Sequence, residues 1–400
     1  MSSIARHFSL VTIAAGSVLG AAGAYGQEQP NAYRQTNLVS DGAVQAANTD
    51  QDLKNAWGIA FLPGAPFWIA DNGTGLSTLY DGTGAKQQLV VRIPTPSGAS
   101  GGTAAPTGMV ANTSTQFRIP NTELPSLFLF ATEDGTIAGW NPGLSDPSSA
   151  EIVVDSSQSA SGAIYKGLAI GTNSQGNFLY AANFRTGSID VFDSSFAPAT
   201  LDGSFVDPNL PANFAPFGIR NIDGDLVVTF AQQDQAKEDD VPGPGLGVVD
   251  IFDTDGHLIR RFASGGDLNS PWGIARAPFN FGRFSGDILI GNFGDGRINV
   301  FQPSGEFLEQ IADANGQPIE IDGLWALTFG GAAKSSPDTL YFTAGPNDEA
   351  NGLFGSIEPA NRPQSQAQQS QTQGTQTQQT QTQQTQTQQS QAQQSPMNAQ

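Results

Sequence analysis

The chain has 400 residues and carries 17 Lys and Arg against 37 Asp and Glu, a formal net charge of −20. That balance argues against nucleic acid as a partner, because a protein that grips phosphates needs a basic face. No cysteine occurs, which excludes disulfides, thiolate metal sites and a cysteine nucleophile.

Residues 1–26 have the make-up of an export signal. Arg6 lies in a short leading region, an apolar and small-residue stretch follows from Phe8 to about Ala24, and Ala22-Gly23-Ala24 or Ala24-Tyr25-Gly26 offers a cleavage site. The stretch is short and studded with Gly, Ser and Thr, which disfavours a membrane anchor. The expected location is therefore the periplasm or the extracellular space, with no transmembrane segment in the mature chain. Residues 27–54 are polar apart from one strand-like run, Tyr33-Arg34-Gln35-Thr36-Asn37-Leu38-Val39.

From residue 55 a unit begins that recurs six times. Trp57-Gly58-Ile59 leads to Phe67-Trp68-Ile69-Ala70-Asp71-Asn72 and then Ser77-Thr78-Leu79-Tyr80. Later copies open at Thr107-Gly108-Met109, Lys166-Gly167-Leu168, Phe217-Gly218-Ile219, Trp272-Gly273-Ile274 and Trp325-Ala326-Leu327. The steps between the equivalent small residues are 50, 59, 51, 55 and 53. Each apolar run is of strand length, and the gaps carry turn residues such as Asp295-Gly296. Repeats of this period suit the blades of a β-propeller. The expected fold is all-β, a six-bladed propeller of four-stranded blades over residues 55–359.

The sixth copy ends after Ile357 with no fourth strand. The run at residues 33–39 is therefore expected to supply it and close the ring, which removes an exposed strand edge. Two insertions stand out, Asn112 to Ser126 in blade two and Ala231 to Gly247 in blade four. Residues 94–106, rich in Pro, Gly and Ser, read as a loop in which nothing could pack. Residues 360–400 are almost wholly Gln, Thr, Ser and Ala and are expected to be disordered.

Propeller geometry puts the loops entering each first strand and leaving each second strand on one face. That face collects Trp57, Thr107, Lys166, Phe217, Trp272 and Trp325. It also collects Asp71, Asn72, Glu133, Asp134, Asn183, Asn292, Asn347 and Asp348, together with Asp239 and Asp240 of the blade-four insertion. Two readings stay open. The aromatic and carboxamide residues could line a mouth for a small molecule, glycan or protein, or they could pack between blades and serve turns. Among them, Trp57, Lys166, Phe217, Trp272, Trp325, Asn72, Asn183, Asn292, Asp239 and Asp240 are the ligand-binding candidates. Lys166 and the acidic insertion are the copies that break the pattern. The insertion, too long for a hairpin, reads as a lid or partner-contacting element. Calcium is a possible cofactor on oxygen ligands converging at the axis. The remaining histidine, His257, falls beside an Asp255-Gly256 turn on the other face, so no Ser-His-Asp site is assembled at the mouth.

The pattern Trp272-Gly273-Ile274, Ile288-Leu289-Ile290-Gly291-Asn292 and Arg297-Ile298-Asn299-Val300-Phe301 resembles the NHL repeat. Residues 33–359 as a whole resemble a family of exported bacterial proteins built as six-bladed propellers. That resemblance implies a binding scaffold and no particular activity. Ala326 in place of Gly, and Ala231-Gln232-Gln233 where other blades have Asn, depart from the pattern. Calcium-dependent propeller hydrolases of the gluconolactonase and strictosidine-synthase kind share the architecture and supply the alternative, an enzyme. Their metal motif cannot be matched residue by residue.

Overall fold

The computed structural model describes residues 30–99, 102–159 and 162–360. The expected signal at residues 1–26 and nearly all of the tail at 360–400 lie outside the described residues. Those described form an all-β ring of six blades.

Blade one comprises Ala56–Phe61, Phe67–Asp71, Leu76–Tyr80 and Lys86–Arg92, each antiparallel to the next. Blades two, four and five repeat that order from first strands at Pro106–Ala111, Phe214–Ile222 and Pro271–Arg276. Burial falls from the axis outward. Ala56–Phe61 is buried along almost its whole length, whereas Lys86–Arg92 is mostly exposed or half-buried. This gradient is why the inner strands read as continuous apolar runs and the outer ones do not.

Blade three departs from expectation. It has three strands, Tyr165–Asn173, Gly176–Asn183 and Ser188–Asp193, and its fourth is reduced to a single bridge between Phe192 and Pro198. Backbone hydrogen bonds from Asp193 to the Ala197 carbonyl at 2.9 Å and from Ala199 to the Val191 carbonyl at 2.8 Å flank that bridge, so Pro198 sits where no N–H is asked of it, and the ladder goes no further.

Blade six is completed from the other end of the chain. Tyr33–Ser40 runs antiparallel to Leu353–Pro359, with Tyr33 opposite Pro359 and Ser40 opposite Leu353. A short parallel pairing of Asn48–Thr49 with Val39 and Ser40 extends that sheet to five strands. The ring closes as the missing fourth strand of blade six required.

Between neighbouring blades lie separate apolar clusters. In the one joining blades one and two, Trp68 stacks on Phe128 at 4.2 Å and tilts against Trp140 at 4.5 Å. Residues 94–106, expected to be a loop in which nothing packs, reach inward, as does the blade-two insertion. Ala104 is buried in that same cluster, and Phe117 and Ile119 of the blade-two insertion are fully buried.

The recurring glycine of the repeat has a packing cause. A Cβ at Gly58 would stand 2.4 Å from the Thr107 carbonyl oxygen, and one at Gly218 would stand 2.3 Å from that of Trp272. Inner strands thus approach backbone to backbone at the glycine, and only a residue without a side chain fits. Gly218→Ala is expected to cost about 2 kcal/mol or more through overpacking, read as a lowered urea midpoint. An unchanged midpoint would mean that the blades can shift apart there.

Candidate functional site

Five of the six repeats, all but the one with Thr107, place a large residue before the small one near the start of the inner strand, and at the axis these residues meet. Trp57 stacks on Trp325 at 3.6 Å, and Phe293 stacks on the opposite side of Trp325 at 3.9 Å. Trp272 stands edge-on to both tryptophans at 6.3 and 6.0 Å, and Phe217 lies 5.8 Å from Trp325. With Phe184, Ile164, Ala215 and Ala231 they form an aromatic plate across the channel. Trp57, Trp325 and Phe217 are buried, so their rings fill the axis, as the packing reading has it, and do not line an open mouth. The Trp57 indole N–H is buried with no acceptor among the described residues.

Above the plate stands a charged group. The Lys166 side chain is only 2% exposed, and its ammonium lies 5.2 Å from the centre of the Trp57 ring. It donates to Glu133 of blade two and, at 3.1 Å, to Asp239 of the blade-four insertion. Burial alone would lower its pKa, but the two carboxylates outweigh that and hold it above the ordinary lysine value. Lys166 is therefore an ammonium and not a base.

A carboxamide chain carries the group to blade six. Asn72 donates to Glu133 at 2.9 Å and accepts from Asn55 at 3.2 Å. Asn55 also donates to Glu349 at 2.5 Å and accepts from the Trp325 indole at 2.9 Å. Glu349 ends a run of three residues with positive φ, Asn347 at 58°, Asp348 at 51° and Glu349 at 63°. Left-handed backbone in successive residues other than glycine is costly, and it marks a segment held in place by its surroundings. Here that backbone delivers Glu349 to the axis.

Burial, reinforced by the nearby charge of Glu133, pushes the Glu349 carboxyl up to about 7. Burial likewise raises Asp240. A carboxyl whose folded pKa lies above its unfolded one stabilises the fold at low pH. That stability is lost as pH rises from about 4.3 towards the folded value of about 7. Glu349→Gln keeps an acceptor for Asn55 and cannot ionise. It is expected to stabilise the protein at pH 8 by about 1 to 2 kcal/mol and to leave stability at pH 4 unchanged. Urea melts at both pH values check this, and equal effects at both would remove Glu349 from the titration.

Beside Lys166 opens a cleft of about 440 Å³ lined by Glu133, Asp134, Glu238, Asp239 and Arg185, with Ser157 and Ile164. The blade-four insertion is tied across it. Arg185 pairs with Glu238, and Gln233 donates to the Phe184 carbonyl at 2.5 Å. The Asp234 and Asp239 backbones hydrogen-bond at 2.8 Å, folding the insertion into a tight hairpin.

The sequence candidates thus divide. Lys166, Asp239 and Asn72 come together in the charged group, with Asp240 half-buried alongside. Asn183 and Asn292 are buried and serve loops: Asn183 accepts from the Ile164 N–H at 3.3 Å, and Asn292 donates to the Asp267 carbonyl at 2.7 Å. Asn55, Glu133's pairing with Lys166, Arg185 and Glu349 were not singled out. The signal for Glu349 was its place directly after Asn347 and Asp348, two residue types that tolerate left-handed backbone.

The donor set does not suit calcium. The Lys166 ammonium already occupies the point between Glu133 and Asp239 that a cation would take. The described residues contain no group of three or more Asp, Glu, His or Cys side chains placed to hold a metal. No reaction step is assigned to a metal here.

Comparison with known proteins gives relatives and no matching family model. Uncharacterized protein R648 of Acanthamoeba polyphaga mimivirus is 36% identical over 327 residues, covering 80% of this chain and 78% of its own. Uncharacterized protein L690 of the same virus is 35% identical over 332 residues, covering 81% and 85%. The chain belongs to the family of these two mimivirus proteins. The family's members named here are viral, whereas the sequence pattern had pointed to bacterial ones.

Among solved structures, XC5397 from Xanthomonas campestris, described as a gluconolactonase, is 15% identical with a TM-score of 0.46, covering 76% of this chain and 86% of its own. Regucalcin from Agrobacterium tumefaciens is 14% identical with a TM-score of 0.47, covering 78% and 96%. Virginiamycin B lyase from Staphylococcus aureus is 14% identical with a TM-score of 0.47, covering 82% and 98%. These likenesses lend no activity to this chain.

Proposed function

We propose that the protein is an exported binding propeller that holds a small amine-bearing ligand, such as an amino sugar, in the acidic cleft beside Lys166. The observation that supports this reading most is the convergence of carboxylates from blades two and four, Glu133, Asp134, Glu238 and Asp239, around one cleft of about 440 Å³. Arg185 and Lys166 hold some of their oxygens in place, and the carboxylates outnumber the two cations, so acceptors remain for a cationic guest. Ile164, which packs in the aromatic cluster at the axis, also lines the cleft.

Export is part of the same reading. It rests on the composition of residues 1–26. The N-terminus of the secreted protein, read by mass spectrometry, tests it, and a retained Met1 would end it.

Calorimetric titration of the full chain with glucosamine and spermidine, against neutral glucose, tests the ligand class. The amines are expected to bind and glucose not, and Glu238→Gln with Asp239→Asn should weaken binding about tenfold. Indifference both to ligand charge and to these substitutions would overturn the reading.

A further inference from the structure

The inner strands continue below the aromatic plate, and there they enclose a second compartment, a cavity of about 270 Å³. Trp272 forms part of its lining at the plate, and the walls are apolar: Met109, Val110, Leu168, Ile170 and Leu327 among them. Arg220 of blade four is the one ionisable side chain among the described residues lining it.

The guanidinium reaches past blade five to blade six. It donates to the Leu327 carbonyl oxygen at 2.7 Å and to the Thr328 hydroxyl at 3.2 Å. Both acceptors are neutral, and no carboxylate pairs with Arg220 among the described residues. The other arginines show what the chain does elsewhere: Arg261, for example, lies between Asp207 and Asp250. A guanidinium has five N–H donors and keeps its proton at any pH the fold meets. The two contacts leave three donors, and the cavity they border has no anion of the protein's own.

Arg220 is half-buried, and a cation among apolar walls with no counter-charge favours an anion that replaces the water on its free donors. The walls on either side favour a guest with an apolar body, and a planar fork suits a carboxylate engaged through both oxygens. Burial works to lower the Arg220 pKa, as expected for a cation with no counter-charge.

We infer that the channel below the aromatic plate is a binding site for a small monocarboxylate with an apolar body, its carboxylate on the Arg220 guanidinium and its body against Met109, Val110 and Ile170. This site is separate from the acidic cleft, takes a ligand of opposite charge, and does not depend on the reading of that cleft.

Benzoate is the probe, with benzamide as its neutral counterpart and chloride as the simple anion, in a buffer free of carboxylates. Calorimetry on the full chain is expected to give one benzoate per chain with a Kd below about 1 mM. Benzamide should bind at least tenfold more weakly, and Arg220→Gln should remove the difference between the two. Equal binding of benzoate and benzamide by the unaltered protein would overturn the proposal. So would benzoate binding that Arg220→Gln leaves unchanged, or a thermal shift that chloride reproduces at the same concentration. The comparison of the two probes on the unaltered protein decides the matter even if the variant fails to fold.

Discussion

Removal of residues 27–40 is expected to abolish cooperative unfolding and drive the chain into aggregates. The strand Tyr33–Ser40 buries Tyr33, Leu38 and Val39, which are 2%, 8% and 1% exposed. The Tyr33 ring lies 4.9 Å from Phe281 and 5.8 Å from Phe284, and its hydroxyl donates to the Phe281 carbonyl at 2.8 Å. Three such side chains contribute roughly 5 to 9 kcal/mol by burial, which is comparable with the whole stability of a typical domain. The loss also bares the edge of Leu353–Pro359 to other chains. Light scattering and thermal melts of the truncated chain test this. Val39→Asp, which puts a carboxylate into the same interface, should act in the same direction with a cost of about 3 kcal/mol. A soluble, cooperatively melting truncated protein would mean that blade six holds with three strands.

Lys166→Met should be the most damaging single change at the charged face. Breaking a buried pair by deleting one partner costs about 3 to 5 kcal/mol. Asp239 is 74% exposed and Glu133 26%, so solvent screens part of that, and about 2 to 3 kcal/mol is the expected loss at pH 8. The sign with pH follows from the carboxyls left behind. Without the ammonium, Glu349 loses a nearby positive charge that favours its ionised form, so its folded pKa moves further above the unfolded one. The variant therefore gains stability on protonation and loses it as pH rises. Its deficit at pH 5 should be smaller than at pH 8, in urea melts of both proteins. A deficit independent of pH would mean that lost packing against Trp57, and not lost charge, is what the variant suffers.

The ring was legible in the sequence because its cause is local and repeated. A large residue, then a glycine, then an apolar run, repeated with Thr107 and Ala326 as the exceptions, states that a bulky side chain meets the axis and a bare backbone meets the next blade. The closing strand was legible by subtraction, since the last repeat lacked a strand and the first was preceded by a spare one. The loss of the fourth strand in blade three was not legible, because Pro198 sits in the one bridge at a place where no N–H is required and no residue type there marks where the ladder stops. The site was less legible. Trp57, Trp272 and Trp325 could be placed on one face, but whether large rings leave a gap or fill it is decided by separations of a few ångströms that spacing along a chain does not encode. Arg220 went unremarked because nothing beside it in sequence sets it apart. Its singularity lies in what the other blades fail to place opposite it.

The closure of the ring has a consequence for how the chain comes to be folded. Arg34 meets Glu358 across 324 residues of sequence, and the backbone of Ala360 donates to Ala32 at 2.8 Å. During synthesis the first strand must wait, unpaired, until the last blade has been made. Contacts of such separation cost loop entropy before they return any stability, and they slow folding. The first strand, Arg34-Gln35-Thr36-Asn37 at its centre, is suited to that interval, since it carries polar residues through its middle and keeps its large apolar groups to its ends.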